Sequence, residues 1–323
     1  MILLHDLDGT RLQQRQGFEP VNDHTIWIDL VDPTVEEDAY LEKQLGIAIP
    51  TRAETREIES SSRLYQENGA HYMTAFVVYN IEAALPASST VTFIMTRNRL
   101  ITVRYHDLKA FPLFLSRVEK QDLGCGTPPA IMLGLIEALI SRAADLVERI
   151  QDDVERNAHH IFDIKGGQQT RDRRFDVILK AAGRQGDINS RTQESAFSLE
   201  RLLTYLTHVL KERHAEPALL ARVDTAHRDV HSLMEHMRFL ASRIEFLLDA
   251  TLGTINMQQN GIIKIFSVAS VALMPPTLIA SIYGMNFKHM PELDVWWAYP
   301  AALVGMLLSA ILPFVYFRRK GWF

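Results

Sequence analysis

The apolar positions of this 323-residue chain change their period along its length. TIWIDLV (25–31), YMTAFVVYNI (72–81), TVTFIMT (90–96) and RLITVRYH (99–106) are short and rich in β-branched and aromatic residues. They predict strands, with Arg97-Asn98 as the turn of a hairpin joining the last two. DPTVEEDAYLEKQLGI follows the first strand and predicts a helix, with Asp32 as N-cap and Pro33 at the first helical position. Residues 1–24 are polar and weakly patterned. Residues 1–122 therefore predict a mixed α/β domain.

Past 124–129 the period becomes helical. Leu133, Ile136, Ile140, Ala144, Leu146 and Ile150 fall near one face of a helix over 130–163, and a second helix is expected over about 172–213. Pro217 is placed to start a third, and no proline recurs before Pro275. That helix would run about 65 residues, roughly 100 Å at the α-helical rise. It predicts a stalk, over 123–260, that leads without a break into the last part of the chain.

That last part, 261–323, is apolar without alternation. Residues 265–287 and 295–317 carry no charge, and each is long enough to cross about 30 Å of hydrocarbon. A pair of buried core helices is the competing explanation. Trp296, Trp297 and Tyr299 at the start of the second run favour spans with an interfacial aromatic belt, placed at about 262–284 and 296–317 around a loop over 285–295. Lys264 lies near the start of the first span, and Arg318, Arg319 and Lys320 follow the second. By the positive-inside rule both ends of the chain are cytoplasmic and the loop is external.

Charge and cysteine content narrow the function. A formal charge of -5 argues against a nucleic-acid partner, and a single cysteine, Cys125, excludes an internal disulfide or a Cys-rich zinc site. The start, MILLHDLDGT, lacks the basic and long apolar regions of a signal peptide. It does match a DxDGT phosphatase nucleophile, with Asp6 attacking phosphorus and Asp8 as acid–base, although the long helices downstream are the wrong context for that chemistry. Asp224, His227, His231 and Glu235 share one helical face at steps of three and four, which reads as a solvated face or as a metal sensor. His159 and His160 are adjacent, so they diverge on a helix. No Gly-rich phosphate loop is present, so neither ATP nor another cofactor is expected.

The first span carries a stripe. Asn260, Ser267, Ser270, Met274, Thr277, Ser281 and Gly284 recur at steps of three, four and seven, while Ile265, Val268, Leu273 and Ile279 occupy the other faces. Such a stripe packs against small residues of another helix or lines a wet path, and one helix cannot surround a pore without identical copies around an axis. Pro275-Pro276 frees the carbonyls of Val271 and Ala272, which need protein or cavity water to satisfy them. Beyond the stripe, Gly284 allows close approach or an unusual backbone angle. Asn286 would give a ring of uncharged oxygen dipoles, suited to a hydrated divalent ion that must also be released. Glu292 and Asp294 would enrich cations at the mouth.

Tyr283-Gly284-Met285-Asn286 resembles the GMN signature of the CorA family of magnesium transporters, and Met290-Pro291-Glu292-Leu293 resembles its loop. The resemblance extends through NGIIKIFSVASVALMPPTLIASIYGMNF, YFRRKGWF, WIDLVDPT and LGIAIPTRAETREIESSSR. It implies an α+β membrane protein: a cytoplasmic α/β domain, long stalk helices and two C-terminal spans, assembled as a homopentameric funnel in the inner membrane. It implies influx of Mg²⁺, and of Co²⁺ or Ni²⁺, with Gly284, Met285 and Asn286 at the selectivity filter, Asn260 and Met274 in the pore, and Asp249 near the cytoplasmic mouth. In some relatives Mg²⁺ also regulates through an acidic pair. Here Asp229 matches one partner, while the other falls near Asn80, with Glu82 the nearest carboxylate. Lys288 and His289 stand where many relatives are acidic. A zinc transporter of the related ZntB type and a membrane-anchored phosphatase using Asp6 are the alternatives.

Overall fold

The computed structural model describes residues 1–9, 11–56, 63–83, 86–120, 124–162, 168–286 and 289–322, with the side chains of 160, 162, 168–174 and 293 outside the description. The chain divides into two compact units, Met1–Leu248 and Asp249–Phe323. The expected boundary at 122/123 lies outside the described residues.

The first unit is built on a seven-stranded sheet of order β2-β1-β3-β7-β6-β5-β4. Its strands are β1 (Ile2–Asp8), β2 (Arg11–Gln16), β3 (Thr25–Val31), β4 (Leu64–Glu67), β5 (Ala70–Tyr79), β6 (Ala87–Met95) and β7 (Leu100–Arg104). Only β3 and β7 pair in parallel; every other neighbour is antiparallel. The Arg97-Asn98 hairpin forms as expected, with Met95 opposite Leu100. Two hairpins were not expected. Gly9, at φ +64°, follows the last β1 residue where β1 and β2 pair, and Asn68-Gly69, both at positive φ, joins β4 to β5. Asn-Gly is the dipeptide that a two-residue hairpin with both central residues at positive φ favours.

Helix α1 (Val35–Leu45) starts later than Asp32-Pro33 suggested. Thr34 is its N-cap, and Glu37 closes a capping box back onto it. A Thr-x-x-Glu box satisfies two free helix donors at once, which a lone Asp cap cannot. Asp32 instead takes φ +44° and donates its N–H to the Arg104 carbonyl.

Strand alternation divides the sheet's two faces. Ile28, Leu30, Ile101 and Val103 pack with Leu41, Ile47 and Ile49 on the α1 side. Trp27 faces the other way, against Phe111 and Phe114 of α2 (Ala110–Lys120). Helices α3 (Pro128–Phe162) and α4 (Gln168–Glu212) belong to the same unit. In α3, Leu133, Ile136, Ile140, Leu146 and Ile150 are buried, whereas Ala144 is exposed and Ala143 and Val147 are buried. The long helix α5 (Pro217–Tyr283) has 67 residues. Within the first unit it buries Val223, Ala226, Val230, Met234, Met237, Leu240, Ile244 and Leu247. That row at steps of three and four shows a packed helix rather than one solvated all round.

His5 is an anomaly on the Trp27 face. It is 1% exposed, its ring stacks on Trp27 at 4.0 Å, and neither ring nitrogen has a hydrogen-bond partner. Burial lowers its pKa to about 4, against an upward pull from Asp6 and a further downward push from Arg104. The sign follows directly. Between pH 6.5 and about 4 the unfolded chain binds a proton that folded His5 refuses, so stability falls as pH drops through that window. His5→Phe keeps the stack and removes the two unpaired nitrogens. It is expected to raise stability at pH 7 by about 1 kcal/mol. Its advantage over the wild type should widen by about 1 kcal/mol per pH unit below 6. Thermal melts of the full chain in detergent at pH 7 and pH 5 check this; an advantage that does not grow at pH 5 excludes the account.

Candidate functional site

In the second unit, α5 ends at Tyr283 and α6 spans Ala298–Arg319. Among the described residues these two helices are the ones long and apolar enough to cross a membrane, and their apolar windows are almost wholly unburied, unlike core helices. Pro275 and Pro276 sit inside α5 without ending it. Thr277, which follows them, donates its hydroxyl to the Leu273 carbonyl at 2.7 Å.

One face of α5 is covered within this unit. Val268 is 2% exposed, and Ala272, Pro275, Pro276 and Ile279 are partly covered. Ile279 and Tyr283 line a cavity of about 560 Å³ together with Pro291, Glu292, Trp297 and the small residues Ala298, Ala301, Ala302 and Gly305 of α6. At about 100° per residue, Ser270, Met274, Thr277 and Ser281 lie on the side away from Val268, while Asn260 falls about 80° from it. All five are exposed, and Ser267, at the edge of the stripe, is half-covered. Most of the expected stripe thus lies on an open side of α5, which it shares with the exposed Phe266 and Leu273.

At the end of α5, Gly284 donates its N–H to the Ala280 carbonyl at 2.9 Å. Its φ is not positive, so the unusual backbone angle expected for this glycine is absent. A Cβ there would stand 3.1 Å from the Ala280 oxygen, a backbone atom that cannot swing away. Met285 donates to the Ile282 carbonyl, and Asn286 follows, exposed, just beyond the last helical turn. Phe287 and Lys288 lie outside the described residues. Pro291–Asp294 form a short 3-10 turn with Glu292 and Asp294 exposed. Asp249 is exposed on α5, about three turns before Asn260.

The other candidate residues do not gather at this site. Glu82 accepts from Lys109 at 2.5 Å and lies 3.8 Å from Arg142; the Lys109 hydrogen bond lowers its pKa. Asp229 lines a groove of about 620 Å³ between α3 and α5 that also holds Glu137, Asp145 and Glu148. Glu137 is paired with Arg222, and Asp145 with Arg142. On the histidine face, Asp224 pairs with Arg228, and His231 lies near Glu200 and Glu235. Among the described residues, no three His, Cys, Asp or Glu side chains come together as a metal site.

The phosphatase reading fails on geometry. Asp6 accepts from Arg15 on both oxygens, at 2.6 and 3.1 Å, and from Thr25 at 2.6 Å. The Arg15 hydrogen bond holds its carboxyl below the usual range. Both oxygens are occupied on a strand antiparallel to both neighbours, which leaves no oxygen free to attack phosphorus.

Similar proteins agree on one family. The family described as CorA-like Mg²⁺ transporter protein matches residues 22–319. The magnesium transport protein CorA of Escherichia coli (strain K12) is 34% identical over 313 residues, covering 97% of this chain and 96% of that protein. The Pectobacterium atrosepticum protein of the same name is 34% identical over the full length of both. Among solved structures, the complete CorA magnesium transporter from Methanocaldococcus jannaschii aligns over 100% of this chain and 99% of its own, at TM-score 0.79 and 17% identity. The ZntB cytoplasmic domain from Vibrio parahaemolyticus aligns over 79% of this chain and 98% of its own, at TM-score 0.53 and 11% identity. These two structural likenesses speak to fold alone. With a matched family model over nearly the whole length and two C-terminal helices fit to span a membrane, this chain belongs to the CorA-like Mg²⁺ transporter family, whose members are ion transporters rather than enzymes.

Proposed function

We propose that this chain carries Mg²⁺ into the cell through a pore formed by identical copies, five by family resemblance, around an axis lined by α5. The carrying observation is the open stripe of Ser270, Met274, Thr277 and Ser281, opposite the covered Val268–Ile279 side and leading to Gly284, Met285 and Asn286. A polar stripe left toward lipid would cost free energy; turned toward an axis it meets water and ions. Asn286 acts at the filter on an ion that keeps its water shell, since Mg²⁺ dehydrates reluctantly. Glu292 and Asp294 flank the outer mouth, Asp249 the inner one, and Asp229 and Glu82 remain the candidate carboxylates for regulation by intracellular Mg²⁺. A negative-inside potential supplies about 4.6 kcal/mol per divalent ion per 100 mV, so no ATP is needed.

The test is flux in liposomes containing the full chain with Cys125 replaced by alanine. Cysteine at Ser270 or Thr277 should react with a small hydrophilic thiol reagent and lose Mg²⁺ flux at least tenfold; cysteine at Val268 should not. Equal block from both faces would reduce the stripe to a packing surface. Running Co²⁺, Ni²⁺ and Zn²⁺ beside Mg²⁺ ranks the cargo. In intact cells, a cysteine at His289 should label with an impermeant reagent, and labelling only after lysis would reverse the orientation.

A further inference from the structure

The far end of α6 is closed by a complete Schellman motif. Lys320 is the C-cap and Gly321 takes φ +72°. Gly321 donates to the Arg318 carbonyl and Trp322 to the Phe317 carbonyl, both at 3.1 Å. The apolar contact that accompanies this motif is present as well, with the Phe317 and Trp322 rings 4.8 Å apart. The turn folds Trp322 back so that Lys264 of α5 stands 5.8 Å from its ring centroid. Lys320 lies over Tyr316 at 5.4 Å. Four cations, Lys264, Arg318, Arg319 and Lys320, are thereby tied to one end of the two spans.

No acidic side chain nearby in the sequence answers them. The chain has no Asp or Glu between Asp249 and Glu292, and none after Asp294. Asp249 is about 22 Å from Lys264 along the helix. Among the described residues none of the four cations makes an ion pair, and all four are exposed. The helix dipole contributes only about half a negative charge at this end, so the local sign stays positive. Cations held at the hydrocarbon boundary need an anion supplied from the same depth, and Trp322 sets that depth, because an indole ring settles at the headgroup level.

We infer that Lys264 and the capped last turn of α6 form a binding site for the phosphate headgroup of an anionic bilayer phospholipid. The guanidinium groups of Arg318 and Arg319 offer paired donors to phosphate oxygens, and Lys264 adds a point charge beneath the indole. The inference rests on α5 and α6 being spans but not on which ion they pass or which way they face.

The test is native mass spectrometry of the full chain in detergent, with phosphatidylglycerol and phosphatidylcholine at equal concentration. Phosphatidylglycerol should be retained in preference. Neutralising each cation should weaken retention about fivefold, so R318Q/R319Q/K320Q should abolish the preference and K264Q alone should cut it about fivefold. G321V keeps every charge but strains the left-handed cap, and it should reduce the preference by releasing Trp322. Equal retention of both lipids by the wild type overturns the site. So does a preference that survives R318Q/R319Q/K320Q, or one that K264Q and G321V leave unchanged. Displacement of the lipid by millimolar inorganic phosphate would make it a free-anion site and likewise overturn the inference. A chain that fails to enter lipid nanodiscs would instead strike at the spans.

Discussion

Asn286→Ala is expected to lose Mg²⁺ flux at least tenfold while the protein still assembles. Asn286 stands exposed immediately past the last turn of α5, where Gly284 lets the backbone pass within 3.1 Å, at its Cβ position, of the Ala280 oxygen. In the proposed pore of identical copies the substitution removes one oxygen dipole from each copy. A hydrogen bond to a charged partner is worth about 1.5–3 kcal/mol, so even a fraction of that lost from each copy multiplies around the axis. Asn286→Asp should err the other way: charged oxygens bind the cation more tightly, and slow release limits conduction. If the filter reads the water shell, an exchange-inert cobalt hexaammine complex, similar to a hexahydrated ion in size and donors, should compete from outside. Liposome flux decides. Normal Mg²⁺ flux in Asn286→Ala, or no inhibition by the inert complex, would leave Gly284-Met285-Asn286 as a turn between two helices.

What could be read without coordinates was what local pattern encodes. The two apolar runs, the Pro217 start of α5 and the Arg97-Asn98 hairpin all rest on residues adjacent in the chain. The Asn68-Gly69 turn was equally local, while β2, RLQQRQ, is too polar to show an apolar pattern. The stripe on α5 was legible as a period, but which face stays open was not. That depends on Val268 and Ile279 being covered inside the second unit and on the small residues of α6 beside Tyr283. The folded-back Trp322 was hidden for the same reason, since its partner Lys264 lies on the other helix. Long-range pairing was also hidden on β3. Asp29 in TIWIDLV is 1% exposed on the face that α2 covers, and its partner is Arg104, 75 residues on, a pairing no local pattern encodes.

That pair sets the largest stability effect. Asp29 accepts from Arg104 Nε at 3.1 Å and Nη2 at 2.9 Å, and from the Thr102 hydroxyl at 2.6 Å. Thr102 in turn accepts from the Trp27 indole at 3.0 Å, and the Arg104 guanidinium lies over the Phe111 ring at 4.5 Å. The network joins β3 and β7, the one parallel contact in the sheet, to α2. Arg104→Met keeps most of the packing and strands a buried carboxylate with one hydroxyl donor. Breaking a buried pair from one side costs about 3–5 kcal/mol. For a unit of this size that corresponds to a fall of roughly 10 °C in apparent Tm. Adding Asp29→Asn removes the stranded charge, and Asn still accepts from Thr102, so the double variant should recover at least half of the loss. Both are read by thermal melts of the full chain in detergent. Arg104→Met melting within about 2 °C of the wild type, or a double variant worse than the single, would mean that the bonds of Arg104 to Asp29 are not what holds β7 against β3 beneath α2.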